Sequence, residues 1–225
     1  ENLSVVEHGT GEEYRFVMPG PSLATTEWQA CLDAVAQQAT PARWIVASGS
    51  LPPGVPDDFY ARLARIARLQ GSRMALDSSG PALAAALEEG VYLVKPSLRE
   101  MRELTGQPLA DAAHWNAAAQ ALVHQHKAQV VALSVGAQGA VLATPDGVWQ
   151  APALPVQATK GTTGAGDCFL AALVSALDRK DPAPTALRWG LAGGAAALLA
   201  PGTALADAAE VRRQFDRATD LPQPG

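Results

Sequence analysis

Apolar and polar positions follow two different periods along the chain, and they predict strands and helices in turn. Short apolar runs bounded by turn residues predict strands at 43–47, 74–77, 91–94, 129–135, 140–144 and 148–151. Helical spacing predicts helices at 26–38, 57–69, 82–87, 99–104, 112–126, 165–177, 184–199 and 208–219. Thr26 and Gln29 have the spacing of a capping box at the start of the first helix. Residues 3–8 and 13–18 flank a glycine-containing turn and predict a β-hairpin at a sheet edge or in an appendage.

The order of these elements predicts an α/β fold. Strands and helices alternate from Arg43 to Val135, which is typical of a doubly wound, mostly parallel sheet flanked by helices. We expect three parts: the hairpin at 1–20, an α/β core at 21–219 and a loose tail at 220–225. The chain has no initiating Met and opens inside a predicted strand, so we expect further residues before Glu1.

Polar and glycine-rich segments follow the predicted strands. In an open α/β sheet, ligands bind beyond the carboxyl ends of the strands. Five segments are expected at that rim: 48–54 (SGSLPPG), 77–80 (DSSG), 95–100 (KPSLRE), 134–139 (SVGAQG) and 162–167 (TTGAGD).

The segment 162–167 carries the clearest chemistry. Its glycines let the backbone approach a ligand closely, and it opens a helix, whose N-terminal N–H groups favour an anion such as a phosphate. Asp167 could then accept the proton of a hydroxyl that attacks the phosphoryl group. The alternative is an ordinary loop in which Thr163 or Asp167 caps a core helix. Neither the Walker A spacing nor the G-x-G-x-x-G spacing is present.

Composition and charge exclude several classes of function. The chain has 225 residues and a net charge of −5 without a basic stripe, which argues against a nucleic-acid partner. Cys31 and Cys168 lie far apart and have no metal-ligand neighbours, which is typical of a reduced, cytoplasmic protein. The longest apolar stretch, 191–200, is too short to span a bilayer, so we expect no membrane partner.

Taken together, these segments resemble the ribokinase-like sugar kinases of the PfkB family. Residues 161–167 (GTTGAGD) match the family motif D-T-x-G-A-G-D except at its first position. The runs SGSLPPGVP, LVKPSLREM and LSVGAQGA are similar to the sugar-side, nucleotide-side and phosphate-side segments of the family, in the same order. Residues 14–20 (YRFVMPG) are similar in particular to the minor bacterial 6-phosphofructokinase branch. The likeness covers essentially the whole chain.

The resemblance implies that ATP phosphorylates a sugar hydroxyl, with position 1 of fructose 6-phosphate as the main expectation. Tagatose 6-phosphate, formation of fructose 1-phosphate, a nucleoside substrate and a non-catalytic nucleotide-binding module are the alternatives. By the same resemblance, Asp167 is the general base, and the N–H groups of Gly164, Ala165 and Gly166 form the anion hole for the γ-phosphate.

The remaining site residues are implied by the family motifs alone. The ATP-binding set is Lys95, Ser97, Arg99, Ser134, Gly136, Gly139, Thr159 and Thr162. The substrate-binding set is Arg15, Gly49, Ser50 and Asp167. Glu100 would hold Mg²⁺ through water, and the expected K⁺ ligands are backbone carbonyls of Gly161, Thr163, Ala197 and Gly202. The hairpin would be the end of a β lid, through which a homodimer forms.

Three departures from the family pattern bear on these expectations. Ser97 stands where the N-x-x-E motif has Asn, and Gly161 replaces an Asp. A GGKGxN-like sugar-binding motif does not occur, so we expect that the printed chain alone cannot bind sugar productively. Without the family context, Glu100 is equally well a helix-start residue, and 134–139 a tight turn between strands. Asp77 precedes a Ser-Ser-Gly turn and is assigned to turn capping.

Overall fold

The computed structural model describes residues 2–10, 13–156, 163–200, 204–218 and 223–224. The first two strands, β1 (Asn2–Val6) and β2 (Glu13–Val17), pair antiparallel in a small sheet of their own. Asn2 lies opposite Val17 and Val6 opposite Glu13, which is the register of the hairpin that the sequence predicts.

After the hairpin, single strands alternate with one or two helices, and three strands, three helices and a short final strand follow. In chain order the elements are α1 (Thr25–Ala36), β3 (Trp44–Ser48), α2 (Phe59–Leu69), β4 (Arg73–Asp77), α3 (Gly80–Glu89), β5 (Val91–Val94), α4 (Leu98–Thr105), α5 (Ala112–His124), β6 (Ala128–Ser134), β7 (Ala140–Thr144), β8 (Gly147–Ala151), α6 (Ala165–Asp178), α7 (Ala183–Leu199), α8 (Ala208–Arg217) and β9 (Gln223–Pro224).

The central sheet is mixed, and its strands lie in sequence order from β3 to β9. Strands β3 to β6 pair in parallel, and β6 to β9 pair antiparallel. The predicted α/β class, with helices on both faces of the sheet, is confirmed. The final strand is a difference from the sequence analysis, which expects residues 220–225 to be loose, because Gln223 pairs with Gln150 of β8.

Because the strands lie in the sheet in the same order as in the sequence, their order decides where the helices lie. Right-handed crossovers that all advance in the same direction place their helices on the same face of the sheet. One buried cluster accordingly joins that face to residues of α1 to α5, such as Leu63, Leu83 and Trp115. The opposite face packs on α6 and α7 through Leu173 and Leu187. Sheet residues alternate between the two clusters, as Met74 and Ala75 of β4 do.

The start of α1 differs from the prediction. The helix begins at Thr25, and the carboxylate of Glu27 accepts a hydrogen bond from the backbone N–H of Ala24 at 2.7 Å. The capping box predicted for Thr26 and Gln29 is therefore wrong, because Ala24 is the residue that precedes the first helical turn.

Among the described residues, none of the helices has both the length and the apolar character that a membrane crossing requires.

Candidate active site

The candidate site lies at the carboxyl ends of the parallel strands. Ser48 ends β3 and lies opposite Asp77, the last residue of β4. Lys95 follows β5 directly, and its backbone N–H donates to the carbonyl of Leu76 at 2.9 Å. The strand ends therefore form the rim that the sequence predicts, and the start of α6 faces them.

The segment that the sequence analysis predicts to be an anion hole lies at the N-terminus of α6. Gly164 precedes the helix with a φ of +83°, a left-handed conformation that favours glycine. The N–H groups of Gly164, Ala165 and Gly166 precede the first intrahelical hydrogen bond, which runs from Cys168 to Gly164 at 2.9 Å. Asp167 lies in the same first turn with an exposed side chain. The helix dipole adds partial positive charge at this position, so the arrangement suits a phosphate.

Lys95 brings a full positive charge to the same place. Its side chain is 6% exposed, and its Nζ lies 3.0 Å from Oδ2 of Asp77. A Cβ on Gly166 would be 3.3 Å from this Nζ, closer than ordinary van der Waals contact. The absence of a side chain at Gly166 therefore lets the ammonium approach the helix N-terminus, and both groups attract an anion.

Asp77 is a member of the site that the sequence analysis assigns elsewhere. Burial raises the pKa of Asp77 and the Lys95 ammonium opposes this, while the carboxylates of Glu100 and Asp167 raise it further. The carboxylates of Glu100 and Asp167 therefore lie close enough to that of Asp77 to act on its charge. The turn-capping role is wrong for the side chain of Asp77, because its carboxylate pairs with Lys95. The feature that could have indicated this role is that Asp77 ends β4, whose neighbour in the sheet, β5, ends just before Lys95.

Ser97 and Glu100 form the capping box of α4. Ser97 Oγ accepts from the Glu100 N–H at 3.3 Å, and Glu100 Oε2 accepts from the Ser97 N–H at 2.8 Å. One carboxylate oxygen of Glu100, Oε2, therefore has the helix-start role that the sequence analysis gives as the alternative. The other oxygen, Oε1, lies 3.7 Å from the guanidinium of Arg99, whose side chain is 75% exposed. In the described part of the chain, no cluster of three or more His, Cys, Asp or Glu is arranged as a ready-made metal site.

A cavity of about 680 Å³ lies beside the anion hole. Of the predicted ATP-binding residues, Ser134, Gly136 and Gly139 line it, and the described side chains of Lys95, Ser97 and Arg99 do not. Its walls are mostly apolar and include Ala137, Ala153, Leu154, Pro155, Val156, Phe169, Leu191, Gly194, Ala195 and Leu198. Sequence reasoning missed these residues, because an apolar residue that lines a cavity has the same pattern as one in the core. The volume and the apolar walls of this cavity suit a flat heterocycle of nucleobase size.

The segment after β3 is held by hydrogen bonds rather than by burial. Gly49 has a φ of +106°, and its carbonyl accepts from the hydroxyls of Tyr60 and Ser78, each at 3.0 Å. Ser48 Oγ donates to Asp167 Oδ1 at 3.3 Å, and this contact joins the predicted sugar segment to the predicted base. Ser50 is exposed.

Several predicted residues lie away from this cluster or outside the described chain. Arg15 is on β2, opposite Ser4, in the separate two-stranded sheet. Thr163 lies two residues before the start of α6, and the carbonyl of Ala197 in α7 accepts from the Ala200 N–H at 3.1 Å. The residues outside the described chain are Thr159, Gly161, Thr162 and Gly202. The K⁺ site therefore stays a prediction.

The chain is similar in sequence to known carbohydrate kinases. The model of the pfkB family carbohydrate kinases matches residues 1–209. The chain is 42% identical over 225 residues to the ATP-dependent 6-phosphofructokinase isozyme 2 of Mycobacterium tuberculosis, covering 100% of this chain and 66% of that protein. It is 38% identical over 181 residues to the 1-phosphofructokinase of Xanthomonas campestris, covering 78% of this chain and 56% of that protein.

A solved structure shows the same fold. The phosphofructokinase-2 of Escherichia coli, in complex with potassium, superposes with a TM-score of 0.89 at 36% identity, over 96% of this chain and 70% of that one. The chain thus spans about two thirds of the length of the curated relatives that it matches. The family match extends from the hairpin through the α6 loop and into α8, so the chain belongs to the pfkB family of carbohydrate kinases.

Proposed function

We propose that the protein transfers the γ-phosphoryl group of ATP to a hydroxyl of a sugar phosphate. The main candidate for the acceptor is the hydroxyl at position 1 of fructose 6-phosphate. One observation carries the proposal: a carboxylate, Asp167, stands in the first turn of α6, beside the buried ammonium of Lys95. An anion hole, a cation and an acceptor for a proton are the parts that phosphoryl transfer to an alcohol requires.

The chemistry can be written for these residues. The sugar hydroxyl oxygen forms a bond to the γ-phosphorus, and the bond from that phosphorus to the β–γ bridging oxygen breaks. ADP leaves with the electron pair, and the hydroxyl proton passes to the carboxylate of Asp167. The N–H groups of Gly164, Ala165 and Gly166 stabilise the negative charge on the transferred group, and Lys95 adds its ammonium to the same field.

The cofactor requirements follow from the cavity and the carboxylates. The base of ATP occupies the apolar cavity beside Ser134, Gly136 and Gly139. Mg²⁺ supplies charge neutralisation on the β- and γ-phosphates, and carboxylate oxygens of Glu100 and Asp77 suit this hard cation, directly or through water. The described residues offer no closed set of protein ligands, so Glu100 and Asp77 would hold the ion together with ATP and water.

The choice of sugar rests on the relatives rather than on described contacts. Both 6-phosphofructokinases and a 1-phosphofructokinase are among the proteins that the chain resembles, so a phosphorylated ketohexose is the substrate class in either case. The higher identity to the 6-phosphofructokinase favours fructose 6-phosphate, and this reaction would place the protein in glycolysis. Turnover measured with fructose 6-phosphate, fructose, fructose 1-phosphate, tagatose 6-phosphate and a nucleoside separates the alternatives.

Replacement of the proposed base tests the reaction. Asp167→Asn in the intact protein should lower turnover with fructose 6-phosphate by roughly 10²–10⁴-fold, the usual contribution of general acid–base catalysis. ATP affinity should change little, since Asp167 is exposed and does not line the nucleotide cavity. Asp33→Asn on α1 is the control, because this carboxylate bonds only Gln29 in the described contacts. Unchanged turnover of Asp167→Asn would contradict the assignment of the base.

A non-catalytic nucleotide-binding module is the second candidate. Ser97 favours it, since this residue departs from the family motif and its hydroxyl is engaged in helix capping. Calorimetric binding of ATP together with no turnover on any of these substrates would support this alternative over the kinase.

We also propose a homodimer that forms through the hairpin. Val5, Phe16 and Met18 are 44%, 54% and 52% exposed. The register places Leu3 opposite Phe16, so Val5 and Phe16 lie on one face of the hairpin. A paired copy would cover this apolar face. Sedimentation of the intact protein should show a dimer at micromolar concentration, and a monomer alone would contradict the proposal.

A further inference from the structure

We propose that Ser48 is a positioning residue that holds the carboxylate of Asp167 in its working orientation, an inference that rests on the proposed kinase function. Ser48 Oγ donates to Asp167 Oδ1 at 3.3 Å. The two residues are 119 positions apart and reach each other from the end of β3 and the start of α6. The family motif that contains Asp167 therefore does not by itself contain the group that orients it.

The backbone around Ser48 is fixed on both sides. The residue lies in register opposite Asp77, and the next N–H, from Gly49, donates to the carbonyl of Asp77 at 2.9 Å. The carbonyl of Gly49 then accepts the two hydroxyl donors from Tyr60 and Ser78, each at 3.0 Å. Three hydrogen bonds thus hold the residue that follows Ser48, so the hydroxyl is delivered from a rigid strand end.

This contact has a direct consequence for a general base. A carboxylate turns about its Cβ–Cγ bond, and a donor at one oxygen restricts that rotation. With Oδ1 held by Ser48, Oδ2 has no hydrogen-bond partner among the described residues and can face the sugar hydroxyl. Both side chains are exposed, so water competes for the contact, and we expect orientation to be worth about tenfold in turnover, a fraction of the whole effect of the base.

A direct contact between Ser48 and the sugar is the competing explanation, and a mutant cycle separates the two. If Ser48 acts through Asp167, its removal has no effect once Asp167 is gone. If Ser48 binds the sugar itself, its removal costs the same factor in either background and raises KM for the sugar.

The experiment measures kcat and KM for ATP and fructose 6-phosphate with the intact protein and Ser48→Ala, Asp167→Asn and the double variant. Ser48→Ala should lower kcat about tenfold and leave KM for ATP within about twofold. In the Asp167→Asn background, the same change should alter kcat by less than about twofold. Ser48→Thr keeps the hydroxyl and should recover most of kcat, which also shows that the loss in Ser48→Ala is not a loss of folding.

The outcomes distinguish this inference from the function on which it rests. Unchanged turnover in Asp167→Asn would overturn the proposed base. A large loss in Asp167→Asn, combined with wild-type kcat in Ser48→Ala or an equal factor in both backgrounds, would overturn only the positioning role. A Ser48→Thr variant that folds with an unchanged melting temperature and is as slow as Ser48→Ala would overturn it as well.

Discussion

The contact between α6 and α7 offers a sharp test of how the fold holds the proposed base in place. Gly193 lies in the middle of α7 and faces α6. A Cβ at this position would lie well inside van der Waals contact of the Cys168 carbonyl oxygen, and 2.8 Å from Cβ of Ala172. Cys168 directly follows Asp167, so the change Gly193→Ala presses on the helical turn that carries the base.

The expected cost follows from these distances. Ordinary contact between carbon atoms begins at about 3.5 Å, so the methyl group is short of space by most of an ångström against Ala172. Neither obstacle can rotate away, since one is a backbone carbonyl and the other a Cβ. Overpacking of this kind costs about 1–3 kcal/mol and occasionally more, whereas alanine gains about 1 kcal/mol over glycine in a helix interior. With the overpacking cost in the upper half of its range, because neither obstacle can move, we expect Gly193→Ala to lower the free energy of unfolding by about 1–2 kcal/mol.

The neighbouring glycine provides a matched control. A Cβ on Gly194 would lie 3.5 Å from the Ala165 carbonyl oxygen and 3.7 Å from Phe169 Cβ, which are ordinary contacts. Gly194→Ala should therefore be neutral or stabilise the helix by up to about 1 kcal/mol. Urea denaturation followed by circular dichroism measures both variants. Equal stabilities of the two variants, or the reverse order, would refute the packing argument.

Two further predictions concern the ion pairs of Glu89 and the turn at residues 136–139 between β6 and β7. Hydrogen bonds from the guanidinium of Arg65, and also from that of Arg68, hold the pKa of Glu89 below its usual range. The contribution of Glu89 to stability is therefore present above the unfolded pKa of about 4.3, and it is lost as pH falls through the lower folded pKa. In urea denaturation, Glu89→Gln should lower the free energy of unfolding by about 0.5–1 kcal/mol at pH 7 and by almost nothing near pH 2. The control Glu88→Gln, at an exposed residue with one lysine partner, should cost less at pH 7. A cost of Glu89→Gln that persists at pH 2 would contradict the ion-pair origin. Gly139→Ala should destabilise by several kcal/mol, since its Cβ would lie 2.7 Å from Pro152 Cα at a φ of +103°. Gly136→Ala, with open space around it and a φ of +58°, should cost only about 1 kcal/mol, and a smaller loss in Gly139→Ala than in Gly136→Ala would contradict the steric argument.

Prolines and glycines at the ends of elements explain why most element boundaries were predictable. The helix predicted at 99–104 is α4 at Leu98–Thr105, between Pro96 and Gly106, and Gly106 adopts the left-handed conformation that ends a helix. The start of α1 was not predictable in the same way. A hydroxyl at Thr26 and an amide at Gln29 satisfy the capping pattern, but the carboxylate of Glu27 competes for the same unpaired N–H groups and bonds Ala24.

The rim of the candidate site was predictable, whereas its internal contacts were not. The rule that ligands bind at the carboxyl ends of parallel strands needs only the order of elements, so it located the segments that contain Ser48, Lys95 and Asp167. The ion pair between Lys95 and Asp77 depends on β4 and β5 being neighbours in the sheet. Such adjacency is a property of the whole sheet, and no local pattern contains it.

The sequence by itself determined the α/β class, the family and the loop that opens α6, because periodicity and glycine spacing are local and survive in one dimension. Tertiary structure alone decided which groups face one another: the Ser48 hydroxyl on Asp167, the Lys95 ammonium beside Gly166, and the apolar walls of the cavity beside α6. The physical reason is that hydrogen bonds and charges act over a few ångströms in space. Residues more than a hundred positions apart come within that range only after the sheet and its helices have packed.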